Sequence, residues 1–164
     1  MKKVLVVYYG GKESAVKKMA MKIAEGARGE GTEVAMKATD EAQADDLLGA
    51  DAIILGAPSY YGGLPADMKR FIDQTFRLQG KLEGKVGAAF SSSEYLGGGS
   101  ETTILALLTT LLFHGMIVQG SSQGYHFGPI TLNPTGRGQD LIENDESQCR
   151  KMGLQVACLL KRLV

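Results

Sequence analysis

The stretch Asp51–Thr75, DAIILGAPSYYGGLPADMKRFIDQT, decides how the chain is read. It opens with Asp51-Ala-Ile-Ile-Leu-Gly-Ala57, an apolar run of strand length, unbroken as expected where a parallel sheet is covered on both faces. Pro58 then leads a turn of Ser59, Tyr60, Tyr61, Gly62 and Gly63. Pro65 stands where a helix can begin, because its missing N–H falls among the donors that a first turn leaves unpaired anyway. Met68, Phe71, Ile72 and Thr75 recur at helical spacing and predict one core-facing stripe. Strand, exposed aromatic turn and helix, in that order, present a ligand at the carboxyl ends of an open α/β sheet.

The flanking sequence repeats the alternation. Lys3 to Tyr8 reads as a strand, and Ser14 can cap the helix after it. Val16, Met19, Ala20, Ile23, Ala24 and Ala27 form that helix's apolar stripe, which Gly29 and Gly31 end. Glu33 to Lys37 is a second strand. Asp40 to Leu48 predicts a weak helix, with Asp40 and Gln43 as an incomplete capping pattern. Lys85 to Ser91 is the fourth strand, Glu101 to Phe113 a helix, and Met116 to Val118 the fifth strand after Gly115. Gly120 to Leu141 is a long irregular segment of the kind that is usually functional. Cys149, Met152, Gly153, Val156, Ala157 and Leu160 mark a final helix. Five strands alternating with helices, joined by right-handed crossovers, give an α/β doubly wound parallel sheet in the order 2-1-3-4-5.

At 164 residues one domain spanning 1–164 is expected. Lysine plus arginine equals aspartate plus glutamate at 18 each, so no basic field points to nucleic acid or an anionic membrane. No apolar run reaches spanning length, and the start Met1-Lys-Lys-Val-Leu-Val-Val-Tyr-Tyr9 is too short for a signal peptide, which makes the cytoplasm the expected compartment. Cys149 and Cys158 lie nine apart on opposite sides of one helix and cannot bridge there. Two histidines, His114 and His126, without ligand-spaced cysteines exclude a zinc centre from the expectations.

Three turns follow strands one, three and four and converge at one sheet edge. Gly10-Gly-Lys-Glu-Ser-Ala15 joins a strand to a helix N-terminus, where N–H groups and the helix dipole suit a phosphate, with Lys12 adding charge and Ser14 a hydroxyl. A plain glycine turn with a serine cap fits the same residues. The turn is neither a GxGxxG nor a Walker loop. Pro58–Gly63 offers two rings that can stack on a planar ligand; the alternative is that one packs under the loop and the other lies at a subunit contact. Ser91–Gly99 combines hydroxyls, an aromatic ring and a glycine run. His114, between Phe113 and Gly115, reads as a histidine facing the carbonyls at a helix C-terminus. No GxSxG elbow is present, which disfavours acyl transfer. Tyrosine-rich turns and the Gly120–Leu141 segment predict association into a homo-oligomer.

DAIILGAP, the proline-hydroxyl-aromatic-glycine turn, MKRFIDQT at its spacing, FSSS followed by GGG, and TTLLFHGM resemble the flavodoxin-like proteins. Within them the chain resembles the tryptophan-repressor-binding-protein group of NAD(P)H:quinone oxidoreductases. Similarity is closest over Asp51–Gly120 and weaker over strand one, MAMKIAEGA and the last helix. The resemblance implies flavin mononucleotide (FMN) as cofactor and NAD(P)H as co-substrate, with a quinone or similar small acceptor. It implies that Gly11, Lys12, Glu13, Ser14, Ala15 and Val16 surround the phosphate. Pro58, Ser59, Tyr60, Tyr61 and Gly62 would border the isoalloxazine ring. Ser92, Ser93, Glu94, Tyr95, Gly97 and Gly98 would line the ribityl and pyrimidine side, and His114 would approach the ring. The flavin itself carries the chemistry, and no side chain is assigned a catalytic role.

The chain departs from that group in four places. Its phosphate turn lacks the usual serine/threonine steps and is one residue longer. Lys12 replaces an aromatic, and Tyr60 stands at a ring-side arginine position. An insertion after strand two is missing, as is a tryptophan near Leu78 and Gln79. Loss of nicotinamide-contacting aromatics keeps open an electron-transfer module without its own NAD(P)H site, and the altered turn Gly10–Ala15 keeps open a flavin-free regulatory or scaffold protein. The group's dimer or tetramer assembly is the implied oligomer.

Overall fold

Alternation along the strands sorts the core into two layers. In β1 (Lys3–Tyr8), Val4, Val6 and Tyr8 belong to one apolar cluster and Leu5 and Val7 to the other. A strand buried on both faces has this pattern. The computed structural model describes residues 1–133 and 141–163.

β1 pairs in parallel with β2 (Glu33–Ala38) on one side and with β3 (Ala52–Pro58) on the other. β3 pairs with β4 (Val86–Ser93), in register from Ala52 with Val86 to Pro58 with Ser92. The order β2-β1-β3-β4-β5 is the one expected from the sequence. The fifth position differs. It is shared by β5 (Ile117–Val118), paired with Val86 and Gly87, and β6 (Ile130–Leu132), paired with Ser91, Ser92 and Ser93. The segment expected to be irregular, Gly120–Leu141, therefore contains a strand, and its part from 134 to 140 lies outside the described residues.

One face of the sheet is covered by α1 (Ala15–Arg28) and α4 (Glu143–Arg162). The predicted α1 stripe is buried in full, from Val16 to Ala27. The two helices meet at glycines: a Cβ on Gly153 would lie 2.0 Å from the Ile23 carbonyl oxygen, and one on Gly26 would lie 2.0 Å from that of Arg150. Arg150 pairs with Glu25 at 3.0 Å and Lys161 with Glu30 at 2.5 Å along the crossing. These pairs are exposed and contribute little beside the close backbone contact.

The other face carries α2 (Ala66–Gln74), α3 (Ser100–Phe113) and two short 3-10 turns. Pro65 immediately precedes α2. The weak helix expected over Asp40–Leu48 is a 3-10 turn over Ala44–Gly49, and its N-cap is Gln43 rather than Asp40, with the Asp46 carboxylate accepting from the Gln43 N–H at 2.8 Å. No helix among the described residues is long and apolar enough to cross a membrane.

Candidate functional site

The carboxyl ends of β1, β3 and β4 open into one cleft of about 850 Å³. All three strand-end turns reach it. In the first, Gly10 adopts φ +153°, and a Cβ there would stand 2.3 Å from Ser14 Oγ. Glycine thus permits the tight approach by which Ser14 caps α1, its hydroxyl accepting from the Lys17 N–H at 3.1 Å. Helix geometry leaves the N–H groups of Ala15 and Val16 without an intrahelical acceptor. Gly11, Ser14, Ala15 and Val16 line the cleft, and nothing lies within 4 Å of a Cβ built on Gly11. Lys12 and Glu13 are exposed and do not line it.

The second turn is a two-residue hairpin. The Tyr60 N–H donates to Gly63 O at 2.9 Å and the Gly63 N–H to Tyr60 O at 3.0 Å, with Tyr61 at φ +52° and Gly62 at φ +74°. Positive φ at both central residues is the geometry of the tightest hairpin turns. A tyrosine at such a position is strained, and Tyr61 projects fully into solvent. Tyr60 instead turns its ring toward Tyr9, centroids 6.1 Å apart and planes at 89°. Burial, reinforced by Tyr9, raises the Tyr60 pKa above the ordinary phenol value, so the hydroxyl stays neutral. Pro58, Ser59, Tyr60, Tyr61 and Gly62 all line the cleft.

Ser92 and Ser93, expected in a loop, are the last residues of β4 and are buried. With Glu94, Tyr95 and Gly98 they form the third wall. Gly97 stands outside it. The second and third turns are stitched together. Ser59 donates through its N–H to Ser92 O at 2.7 Å and through Oγ to Gly98 O at 2.8 Å, and Thr102 Oγ1 reaches Gly62 O at 2.7 Å.

His114 is the one expected site residue that the structure sets far away. α3 begins at the cleft beside Gly99 and runs 14 residues from it, about 21 Å at helical rise, with His114 at its end. There Nε2 lies 2.9 Å from Thr75 Oγ1, and burial holds the imidazole pKa below its ordinary value. Within one chain it does not approach the cleft.

Sequence reasoning missed Tyr9, Ala38, Thr39 and Asp40 on the walls, together with Asp67, Arg70, Phe71 and Gln74 from α2, and Asn133. The α2 set carried a signal: Asp67, Arg70 and Gln74 fall at i, i+3 and i+7, one helical face. Arg70 pairs with Asp67 and is the cleft's sole cationic wall residue among the described residues, against Asp40, Asp67 and Glu94.

A doubly wound sheet with its cleft at the ends of β1, β3 and β4 is the flavodoxin-like architecture. The crystal structure of a flavodoxin, WrbA-like protein from Agrobacterium tumefaciens superposes with a TM-score of 0.81 at 27% identity, covering all of both chains. A family described as NADPH-dependent FMN reductase matches residues 29–126, and the chain belongs to it. Among relatives, a "Flavodoxin" of Aquifex aeolicus is 38% identical, over 96% of this chain and 86% of its own. An "NAD(P)H dehydrogenase (quinone)" of Sinorhizobium fredii is 42% identical, over 73% of this chain and 71% of its own.

Proposed function

We propose that the protein is an FMN-dependent oxidoreductase that passes electrons from NAD(P)H to a quinone or similar small acceptor. The observation that carries this reading is the convergence of a helix N-terminus, a tyrosine hairpin and a buried serine-rich strand end on one cleft. Family membership and relatives named as quinone dehydrogenases support it.

The residues present fit FMN. Open space above Gly11 and the first N–H groups of α1 suit a phosphate dianion, with Lys12 near enough in sequence to add charge from the rim. Tyr60, braced edge-on by Tyr9, offers a flat neutral ring to the isoalloxazine, and Ser59 and Gly62 set the hairpin beside it. Ser92, Ser93, Glu94, Tyr95 and Gly98 offer backbone and hydroxyl groups to the ribityl and pyrimidine side. When bound, FMN takes two electrons from the reduced nicotinamide and passes them to the acceptor. The chain's part would be to orient the ring, hold its charged tail and admit the two substrates in turn to a cleft lined by Tyr60 and Tyr95. The reading includes a single domain, a cytoplasmic location and a homo-oligomer. The exposed rings of Tyr61, Tyr95 and Phe76 support association.

A second reading, an electron carrier without a pyridine-nucleotide site, is favoured by the likeness to the Aquifex aeolicus flavodoxin across nearly the whole chain. Steady-state NAD(P)H oxidation with a quinone separates the two. Turnover with added FMN supports the enzyme, and FMN binding without turnover supports the carrier.

A further inference from the structure

One residue lining the cleft, Asn133, comes from a segment that none of the three strand-end turns contains. β6 lies parallel to the last three residues of β4, and the Asn133 N–H extends that ladder by donating to Ser93 O at 2.8 Å. Asn133 thus stands at the start of the third turn and lines the cleft. Its backbone donor is used, but its side-chain carbonyl, Oδ1, is buried with no hydrogen-bond partner among the described residues. A buried carbonyl left unpaired is costly, and native proteins keep few of them.

The backbone carrying this residue is held from behind. Two residues earlier, Thr131 Oγ1 donates to Asp145 Oδ2 at 2.6 Å, and the Tyr125 hydroxyl donates to the other carboxylate oxygen at 3.2 Å. Asp145 is buried in the first turn of α4, so one carboxylate ties β6 to the helix layer. The Asn133 carboxamide itself turns on a soft terminal torsion. On a backbone held in this way, rotation about that torsion would turn the buried, unpaired Oδ1 toward the cleft that the residue lines.

We infer that Asn133 is a further binding residue of the cleft, whose Oδ1 accepts a hydrogen bond from an N–H or O–H donor of the flavin nucleotide. The inference rests on the reading of the cleft as an FMN site. A neutral acceptor is required here, because Glu94, Asp40 and Asp67 already make the walls acidic and another carboxylate would repel the phosphate. FMN carries two kinds of suitable donor, the ribityl hydroxyls and the imide N–H of the ring.

The test is fluorescence titration of the apo-protein with FMN, riboflavin and lumiflavin, using wild type, Asn133→Leu and Asn133→Asp, with a thermal melt of each. Asn133→Leu removes the orphan carbonyl, so its apo form melts at or above the wild-type temperature. It nevertheless binds riboflavin about tenfold more weakly. Asn133→Asp keeps the acceptor and binds neutral riboflavin within about threefold of wild type. Lumiflavin lacks the ribityl chain: a loss in Asn133→Leu that persists with it assigns the donor to the imide, and one confined to riboflavin and FMN assigns it to a hydroxyl. Unchanged riboflavin and FMN affinity in Asn133→Leu, against a wild type that binds both, overturns the inference and leaves the FMN reading intact. A wild type that binds no flavin overturns that reading and the inference with it.

Discussion

Gly99 and Gly62 touch backbone to backbone: a Cβ on Gly99 would lie 2.5 Å from the Gly62 Cα and 2.8 Å from Ser59 Oγ. The contact locks the turn after β4 onto the turn after β3, and it is the point where α3 leaves the cleft. Gly99 also sits at φ +91°, a conformation that other residues rarely adopt. Gly99→Ala is expected to destabilise the protein by about 2–4 kcal/mol, combining overpacking with backbone strain. Gly31→Ala, at φ +75° with open space around it, supplies the control and costs about 1 kcal/mol. Chemical denaturation of both variants checks the difference, and FMN titration of Gly99→Ala shows weakened binding if the two turns grip one ligand.

Ser14 and Lys12 contribute through different physics. Ser14→Ala removes the cap on the Lys17 N–H and costs about 1 kcal/mol of stability whether or not a ligand is present. Lys12→Ala leaves apo stability within about 0.5 kcal/mol, since Lys12 is exposed. In the phosphate reading it weakens FMN but not riboflavin, and that loss shrinks at high salt. Equal effects on FMN and riboflavin would place the phosphate elsewhere.

His114 makes stability depend on pH without touching the cleft. Burial lowers its folded-state pKa below the ordinary value of 6.5, so the unfolded chain binds more protons in that window. Stability from this group is complete above pH 6.5 and is lost as pH falls through the folded value. Thermal melts from pH 8 to pH 5 are expected to show the decline, and His114→Gln to flatten it. FMN affinity of the isolated chain is expected to be the same in wild type and His114→Gln.

The two cysteines should differ sharply in reactivity. Burial, with Asp145 and Glu146 nearby, pushes the Cys149 thiol up to about 12, whereas Cys158 is half-buried. Since the thiolate is the nucleophile, iodoacetamide at pH 8 is expected to label Cys158 in the folded protein and Cys149 only after unfolding. Peptide mapping by mass spectrometry reads the result directly.

The core of the fold was legible because its signals are local and redundant. The unbroken apolar run Ala52–Ala57, the stripe Val16–Ala27 and the Ser14 cap each state an element and its boundary, and together they fix strand order through crossover handedness. What was hidden depends on tertiary partners. Three-residue β6 forms because β4 runs on through Ser91–Ser93 and leaves an open ladder beside it, and Ile-Thr-Leu alone does not announce a strand. Gly56 likewise reads as an ordinary strand residue until Phe90 fills the space, 2.1 Å from where its Cβ would be. Tyr9 and Asn133 line the cleft by topology, and no motif marks either one. His114 is assigned by resemblance alone, and within one chain α3 carries it 14 residues from the cleft.

The central claim is that the ends of β1, β3 and β4 grip FMN for electron transfer from NAD(P)H. Its most direct test is the visible spectrum of the purified protein, reconstituted with FMN, before and after adding NADPH under anaerobic conditions. The account predicts a protein-bound flavin spectrum that bleaches with NADPH and returns on adding a quinone. Protein that stays colourless after reconstitution, with free FMN unperturbed, would contradict it.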